Sequence, residues 1–274
     1  MKKVLALVFV SLLFIECSTV PITGRKRVNF VSDAQILPMS FQQYNGFLTE
    51  NKSKVLTNTA QANELKTIGN NIAGAVDRFM RTNNMLSEAN SYKWEFNLIN
   101  DETVNAWCMP GGKVVFYTGI MPICANTDGV AAVMGHEVAH AFAKHGQERM
   151  SSAQIQQLGG VAVAVGTANN KNAQLWNMAY GIGSQLGMLK FSRTHETEAD
   201  RLGLVFMIMA GYRGEEAVNV WVRMKAKKNG AQTPPEFLST HPHDDTRIAD
   251  LRAYLPEAKR LAAQYNAKAR LLKK

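Results

Sequence analysis

Apolar positions along the chain follow two spacings in turn. Over Ser32 to Thr49 and Thr57 to Arg81 they recur every three or four residues, and Leu65, Ile68, Ile72, Val76 and Phe79 share one face. That spacing predicts an N-terminal helical hairpin, with Ser32 as the N-cap of its first helix. Over Tyr92 to Ile99, Tyr92, Trp94, Phe96 and Leu98 alternate with polar residues, which predicts a strand. Val104–Met109 and Lys113–Thr118 flank Pro110, Gly111 and Gly112, so two further strands joined by a tight turn are expected. Beyond them the pattern is helical. No internal repeat, low-complexity tract or linker divides residues 29–274. The expectation is one α+β domain, mainly helical, with a small sheet.

The first residues have a different character. Lys2 and Lys3 precede Val4–Ile15, an apolar run broken only by Ser11. A membrane span needs about 20 apolar residues, so the run fits a signal segment better. It stops at Cys17. Residues 1–17 therefore read as a lipoprotein signal with Cys17 as the lipidated residue, and 18–28 as a basic tether. Glu16 stands where such signals usually carry a small residue. Cys108 and Cys124 remain, and buried free thiols are expected of them rather than a disulfide.

Composition narrows the class. Of 274 residues, 46% are hydrophobic and 19% charged, which is globular. A mean hydropathy of -0.17 excludes a polytopic membrane protein. The net charge is +9, but the basic residues are dispersed and form no stripe interleaved with aromatics. A solvated basic surface is the reading, with no nucleic-acid partner.

The chemistry lies in His136-Glu137-Val138-Ala139-His140. Asn126, Thr127 and Asp128 offer caps for its helix, and Gly146 a stop. Residues i and i+4 share a helical face, so both imidazoles can reach one ion, with Glu137 beside them to take a proton from water. The apolar neighbours Val130, Ala131, Val133, Val138 and Phe142 would bury these polar groups, which is costly unless a metal compensates. One Zn²⁺ per chain is expected. A metzincin third histidine is absent, because Ala143 and Gly146 stand at its Gly and His positions. His145 is expected at the helix C-terminus with a cationic ring. Glu196 and Asp200 are again i and i+4, on a second helix running to Gly211. Glu196 reads as the third ligand. Asp200 reads as the acceptor of a ligand's free ring N–H, His136 being the favoured partner. Glu198 falls off that face and reads as a solvated partner of Arg201 or Arg193, and His195 is the alternative third ligand.

His136-Glu137-x-x-His140, then Ser192-Arg193-x-x-Glu196-x-Glu198-Ala199-Asp200, then Ser239-Thr240-His241-Pro242 with Arg247, resembles the HtpX and CAAX-protease superfamily of gluzincin peptidases. The soluble lipoprotein and periplasmic branch, of the Oma, BepA and LoiP type, is most similar, over about Asn29 to Leu255. The resemblance implies a zincin-like fold and zinc-dependent endoproteolysis, with Glu137 as general base and His241 and Arg247 near the metal facing a developing oxyanion. His241 could equally lock the site as a fourth ligand, or be an ordinary residue at a helix start before Pro242; His243 reads as surface. Asn105, Ala106, Trp107, Cys108 and Met109 would pair with extended substrate if their strand is an edge, and would not if it is internal. The glycine-rich stretch 159–187 reads as a mobile flap over the cleft or a closely packed helical hairpin, the hairpin with some mobility being favoured. The expected role is degradation of misfolded or stalled envelope proteins by an enzyme lipid-anchored at the periplasmic face of the outer membrane. An assembly factor or chaperone with a largely latent site is the alternative. A structural zinc site would not need Glu137.

Overall fold

A computed structural model describes residues 16–29, 31–152, 191–229, 235–241 and 245–271. The expectations for 1–15, for 159–187 and for Pro242 and His243 lie outside the described residues.

The segment read as a tether is folded. β1 (Glu16–Thr19) pairs antiparallel with β2 (Lys26–Asn29), and Val20 between them is fully buried. Next come α1 (Asp33–Glu50), capped by Ser32, and α2 (Ala60–Thr82), where Thr59 accepts from the Ala62 N–H. The two helices expected from apolar spacing are therefore present. α2 buries Leu65, Ile68, Ile72, Val76 and Phe79 as one stripe.

The main sheet has four strands in the order β3-β4-β6-β5: β3 (Val55–Leu56), β4 (Glu95–Ile99), β5 (Ala106–Met109) and β6 (Lys113–Tyr117). α3 (Leu86–Ser91) precedes the sheet, and β4 starts three residues later than the alternation suggested: Tyr92 to Trp94 lie outside the ladder, although the Lys93 N–H donates to the Gly111 carbonyl. Phe96 to Ile99 are buried without alternation, since both faces of β4 are covered. β5 and β6 pair antiparallel around the expected turn, where Gly111 and Gly112 take φ of +80° and +86°, a conformation that favours glycine. Among the described residues β5 is outermost in the sheet, so the choice between edge and internal strand falls to edge.

α4 (Thr127–Phe142) carries the His-Glu-x-x-His sequence, and every residue from Gly129 to Phe142 is buried. Asn126 caps it by accepting from the Gly129 N–H. Its end is not Gly146. The helix stops at Phe142 and the chain turns at Lys144, with φ of +60°, into a further helical run over 145–152. α5 (Arg193–Met209) crosses α4, α6 (Glu215–Asn229) and α7 (Glu236–Thr240) follow, and α8 (Asp245–Leu271) packs along α5. The α4–α5 crossing is very close. A Cβ on Gly135 would sit 2.7 Å from the Gly203 carbonyl oxygen, and one on Gly203 would sit 2.8 Å from the Gly135 carbonyl carbon. Two glycines thus let the backbones touch, which brings His136 on α4 against Asp200 on α5.

Candidate active site

Four buried donors converge between α4, α5 and the end of α7: His136, His140, Glu196 and His241. His136 Nε2 lies 3.0 Å from His140 Nε2 and 3.2 Å from His241 Nδ1. The Glu196 carboxylate is 3.5 Å from His136 Nε2, 3.4 Å from His140 Nε2 and 3.1 Å from His241 Nδ1. Ligands about 2.0–2.1 Å from a tetrahedral ion are spaced by roughly 3.3 Å. The donor spacings match that edge, and the nitrogen and oxygen donor set suits a borderline-soft divalent ion. The residues present therefore fit a zinc-type centre.

Glu137 projects beside this cluster, 2% exposed, with Oε1 lacking a hydrogen-bond partner. Burial raises its carboxyl above the ordinary range, while His241 and His136 pull in the opposite direction. For Glu196, burial also opposes charge, but His241 and Arg247 outweigh it and hold the carboxyl well below its usual value. Burial drives His140 well below the usual imidazole range. At His136 burial opposes protonation too, yet hydrogen bonds to Asp200 and Glu196 carry it up to about 9 on protein charges alone. The cluster thus keeps carboxylate charge facing imidazoles, as a cation site requires.

Asp200 lies where expected. His136 Nδ1–H donates to its Oδ1 at 3.0 Å, which leaves His136 Nε2 directed at the other donors. Arg247 has a different task from the oxyanion partner expected. Its Nε and Nη2 donate to Asp200 at 2.5 and 2.7 Å, its Nη1 pairs with Glu196 at 2.8 Å, and its Cζ lies 3.4 Å from the centroid of the Trp221 ring. With both carboxylates engaged and the ring covering one face, Arg247 clamps the acids. His241 closes α7, is 2% exposed, and its Nε2 stands 3.6 Å from Glu137 Oε1.

Three other expectations need correction. Glu198 is buried rather than solvated, and it pairs with Arg25 and His145. His145 is fully buried, and burial lowers its pKa to about 4, so its ring is neutral rather than cationic. His195 is not among the converging donors; it pairs with Glu148 at 3.1 Å. The Asn105–Met109 strand runs alongside α4, and the Val104 carbonyl at its start accepts from the Phe237 N–H of α7, the helix that ends at His241. Cys108 and Cys124 are both free thiols. Cys108 is pushed well up by burial, with the nearby Glu137 charge adding to it.

The signature of Peptidase family M48 matches residues 60–255, which contain the whole donor cluster. The chain belongs to this family. Among its relatives, the mitochondrial metalloendopeptidase OMA1 of Saccharomyces cerevisiae is 33% identical over 275 residues, covering 93% of this chain and 76% of that protein. The protein of the same name from Schizosaccharomyces pombe is 32% identical over 245 residues, covering 89% and 68%. The beta-barrel assembly-enhancing protease of Escherichia coli is 29% identical over 202 residues, covering 69% of this chain and 41% of that protein. The M48 chain is thus a metalloendopeptidase with the mainly helical, zincin-like α+β fold that the motif order implied. No helix among its described residues is long and apolar enough to cross a membrane.

Proposed function

We propose that this M48 chain is a zinc endopeptidase of the bacterial cell envelope in which His136, His140 and Glu196 hold Zn²⁺ and Glu137 is the general base. One observation carries the assignment: two imidazole nitrogens and a carboxylate converge at ligand spacing with the unpartnered Glu137 oxygen beside them. Bound zinc would supply Lewis acidity and ease deprotonation of water. Glu137 takes the proton of the attacking water and returns it to the leaving amine, and its raised pKa suits both halves of that task. Asp200 fixes the His136 ring, and Arg247 holds Asp200 and Glu196 in place. β5, at the sheet edge beside α4, offers backbone groups of Asn105 to Met109 to an extended peptide.

The substrate class we infer is misfolded or stalled envelope protein. The N-terminal run ending at Cys17 supports a lipid anchor, and the outer membrane is the membrane we assign to it. A relative named for beta-barrel assembly supports the same setting. One observation favours a second reading, an assembly factor with a latent protease site: His241 Nδ1 lies among the three ligands, where a fourth would be. A ring held there competes with the water that Glu137 must activate.

The test is Glu137→Gln, which keeps shape but cannot accept a proton. Zinc content should stay near one equivalent, and chelator-sensitive casein cleavage should fall by about two to four orders of magnitude. Parental cleavage by the variant would remove Glu137 from the role of base. A parent inactive on casein with or without chelator would favour the latent reading.

A further inference from the structure

His136 and His140 are paired by sequence but are not supported alike. His136 is oriented by Asp200, four residues after Glu196. Among the described residues no carboxylate reaches the outer nitrogen of His140. Its Nδ1 faces His145 Nδ1 at 2.9 Å, and His145 Nε2 faces Glu198 Oε2 at 2.9 Å. Proton accounting fixes the roles. A carboxylate only accepts, so His145 Nε2 carries the hydrogen and donates it to Glu198. A neutral His145 then has a lone pair at Nδ1, and the hydrogen between the two rings belongs to His140 Nδ1. That leaves His140 Nε2 as a bare lone pair directed at His136 and Glu196. The opposite arrangement would put a hydrogen on His140 Nε2 and close it to a cation. A ligating nitrogen must present its lone pair, so metal binding by His140 selects the first arrangement.

Glu198 is itself held from outside the two helices. It accepts from the Thr23 hydroxyl and from Arg25 Nε at 2.6 Å. Arg25 also grips Glu148 with Nη1 and Nη2, at 2.9 and 2.7 Å. Thr23 and Arg25 lie in the loop joining β1 to β2. Arg27 of β2 donates to the Ala143 carbonyl at 2.8 Å, so the same hairpin caps the end of α4, next to the turn that places His145. His195 stacks on His145, with centroids 4.4 Å apart, and limits tilting of the ring.

We propose that His145 and Glu198 are positioning residues that set the tautomer of His140, and that Thr23 and Arg25 hold them in register. The hairpin that contains Cys17 thereby becomes a working part of the active site. The proposal rests on the reading of His140 as a metal ligand, and the test separates the two.

Zn²⁺ affinity of the full chain would be measured by chelator competition for the parent, His140→Ala, His145→Phe, Glu198→Leu, Glu198→Gln and Arg25→Ala. His145→Phe and Glu198→Leu should bind zinc about 10- to 100-fold more weakly than the parent, the usual cost of losing a ligand's hydrogen-bond partner. Glu198→Gln keeps an acceptor oxygen for His145 and should recover most of that loss. Arg25→Ala should show a smaller loss in the same direction. If His140→Ala binds zinc like the parent, the ligand reading fails and the proposal falls with it. If His140→Ala loses zinc while His145→Phe binds like the parent, the ligand reading stands and the relay is overturned. Equal losses in Glu198→Leu and Glu198→Gln would also overturn tautomer control. A variant that fails to fold does not protect the idea, because the parent can be read directly. In the ¹⁵N-labelled zinc-loaded parent, a through-hydrogen-bond coupling should join His140 Nδ1 to His145 Nδ1. A hydrogen on His145 Nδ1, or no such coupling, refutes the relay.

Discussion

Gly203→Ala adds one methyl group at the point where α4 and α5 touch. In a helix interior this exchange ordinarily stabilises by about 0.5–1 kcal/mol, because alanine loses less backbone entropy. Here the new carbon would lie 2.8 Å from both the Gly135 carbonyl carbon and the His136 nitrogen. Those atoms are backbone and cannot rotate away. Ordinary contact starts near 3.4 Å, so the helices must separate by roughly 0.6 Å at the crossing. The separation acts on the site directly, since His136 is at the crossing and Asp200 is one turn away on α5. Catalytic geometry tolerates about 0.5 Å, and a misplacement of about 1 Å can cost roughly 100-fold in rate. Overpacking should cost about 1–3 kcal/mol, reversing the sign of the helix preference. Gly46→Ala is the control, because Gly46 is inside α1 with open space around its missing Cβ. Urea unfolding and casein cleavage by the zinc-loaded proteins would measure both effects. The expected result is a stabilised, fully active Gly46→Ala beside a destabilised Gly203→Ala with at least about 10-fold lower activity. A Gly203→Ala protein as stable and as active as the parent would refute the claim that this contact sets the metal geometry.

Other outcomes can be checked as readily. Although burial opposes its charge, Glu148 is held at about 2, below its ordinary 4.5, by hydrogen bonds from His195 and Arg25. Its stabilising contribution should therefore be complete above pH of about 4.5 and vanish as pH falls toward 2, and Glu148→Gln should flatten that part of an acid-unfolding curve. Cys17→Ala should abolish lipid labelling and release the protein into the soluble periplasmic fraction; continued membrane association would instead indicate an uncleaved anchor. His241→Ala should raise basal cleavage of an unfolded substrate if the ring closes the site, and a fall of about 100-fold with zinc retained would make it an oxyanion donor.

Much of the site was legible because helical periodicity converts short sequence spacing into shared faces. His136 with His140, and Glu196 with Asp200, are each one turn apart, so their convergence needed only that two helices meet. The Asn126 cap and the Pro-Gly-Gly turn were legible for the same local reason. The end of α4 was not. Gly146 looked like a stop, yet the turn is made at Lys144, a residue that seldom adopts positive φ. What holds it there is distant in sequence: Lys144 pairs with Asp33 at 2.6 Å, and Arg27 donates to the Ala143 carbonyl. Arg247 shows the same limit. Its position near the site followed from the motif order, but its clamp on Asp200 and Glu196 depends on how α8 lies along α5.

Glu198 shows most clearly where the one-helix argument ends. Two residues from both Glu196 and Asp200, it projects from the opposite side of α5, and on a helix with one buried face that side meets water. At the start of α5 water meets Thr194 and Arg201 instead, and the side that carries Glu198 is covered. Glu196, Glu198, Ala199 and Asp200 are all buried, because the β1–β2 hairpin covers the face turned away from the metal donors. Arg25 and Glu198 are 173 positions apart, so no local pattern could pair them. A carboxylate under that cover would be destabilising if left alone, and it is not alone: Thr23, Arg25 and His145 all donate to it. The two acids on opposite faces of one helix thus serve the two histidines of the other. Asp200 reaches His136 directly, and Glu198 reaches His140 through one more ring. This arrangement makes a testable distinction between the two supports. Asp200 depends on Arg247 of α8, whereas Glu198 depends on Thr23 and Arg25 of the β1–β2 hairpin, so displacement of that hairpin should reach the site through His140 and leave His136 in place.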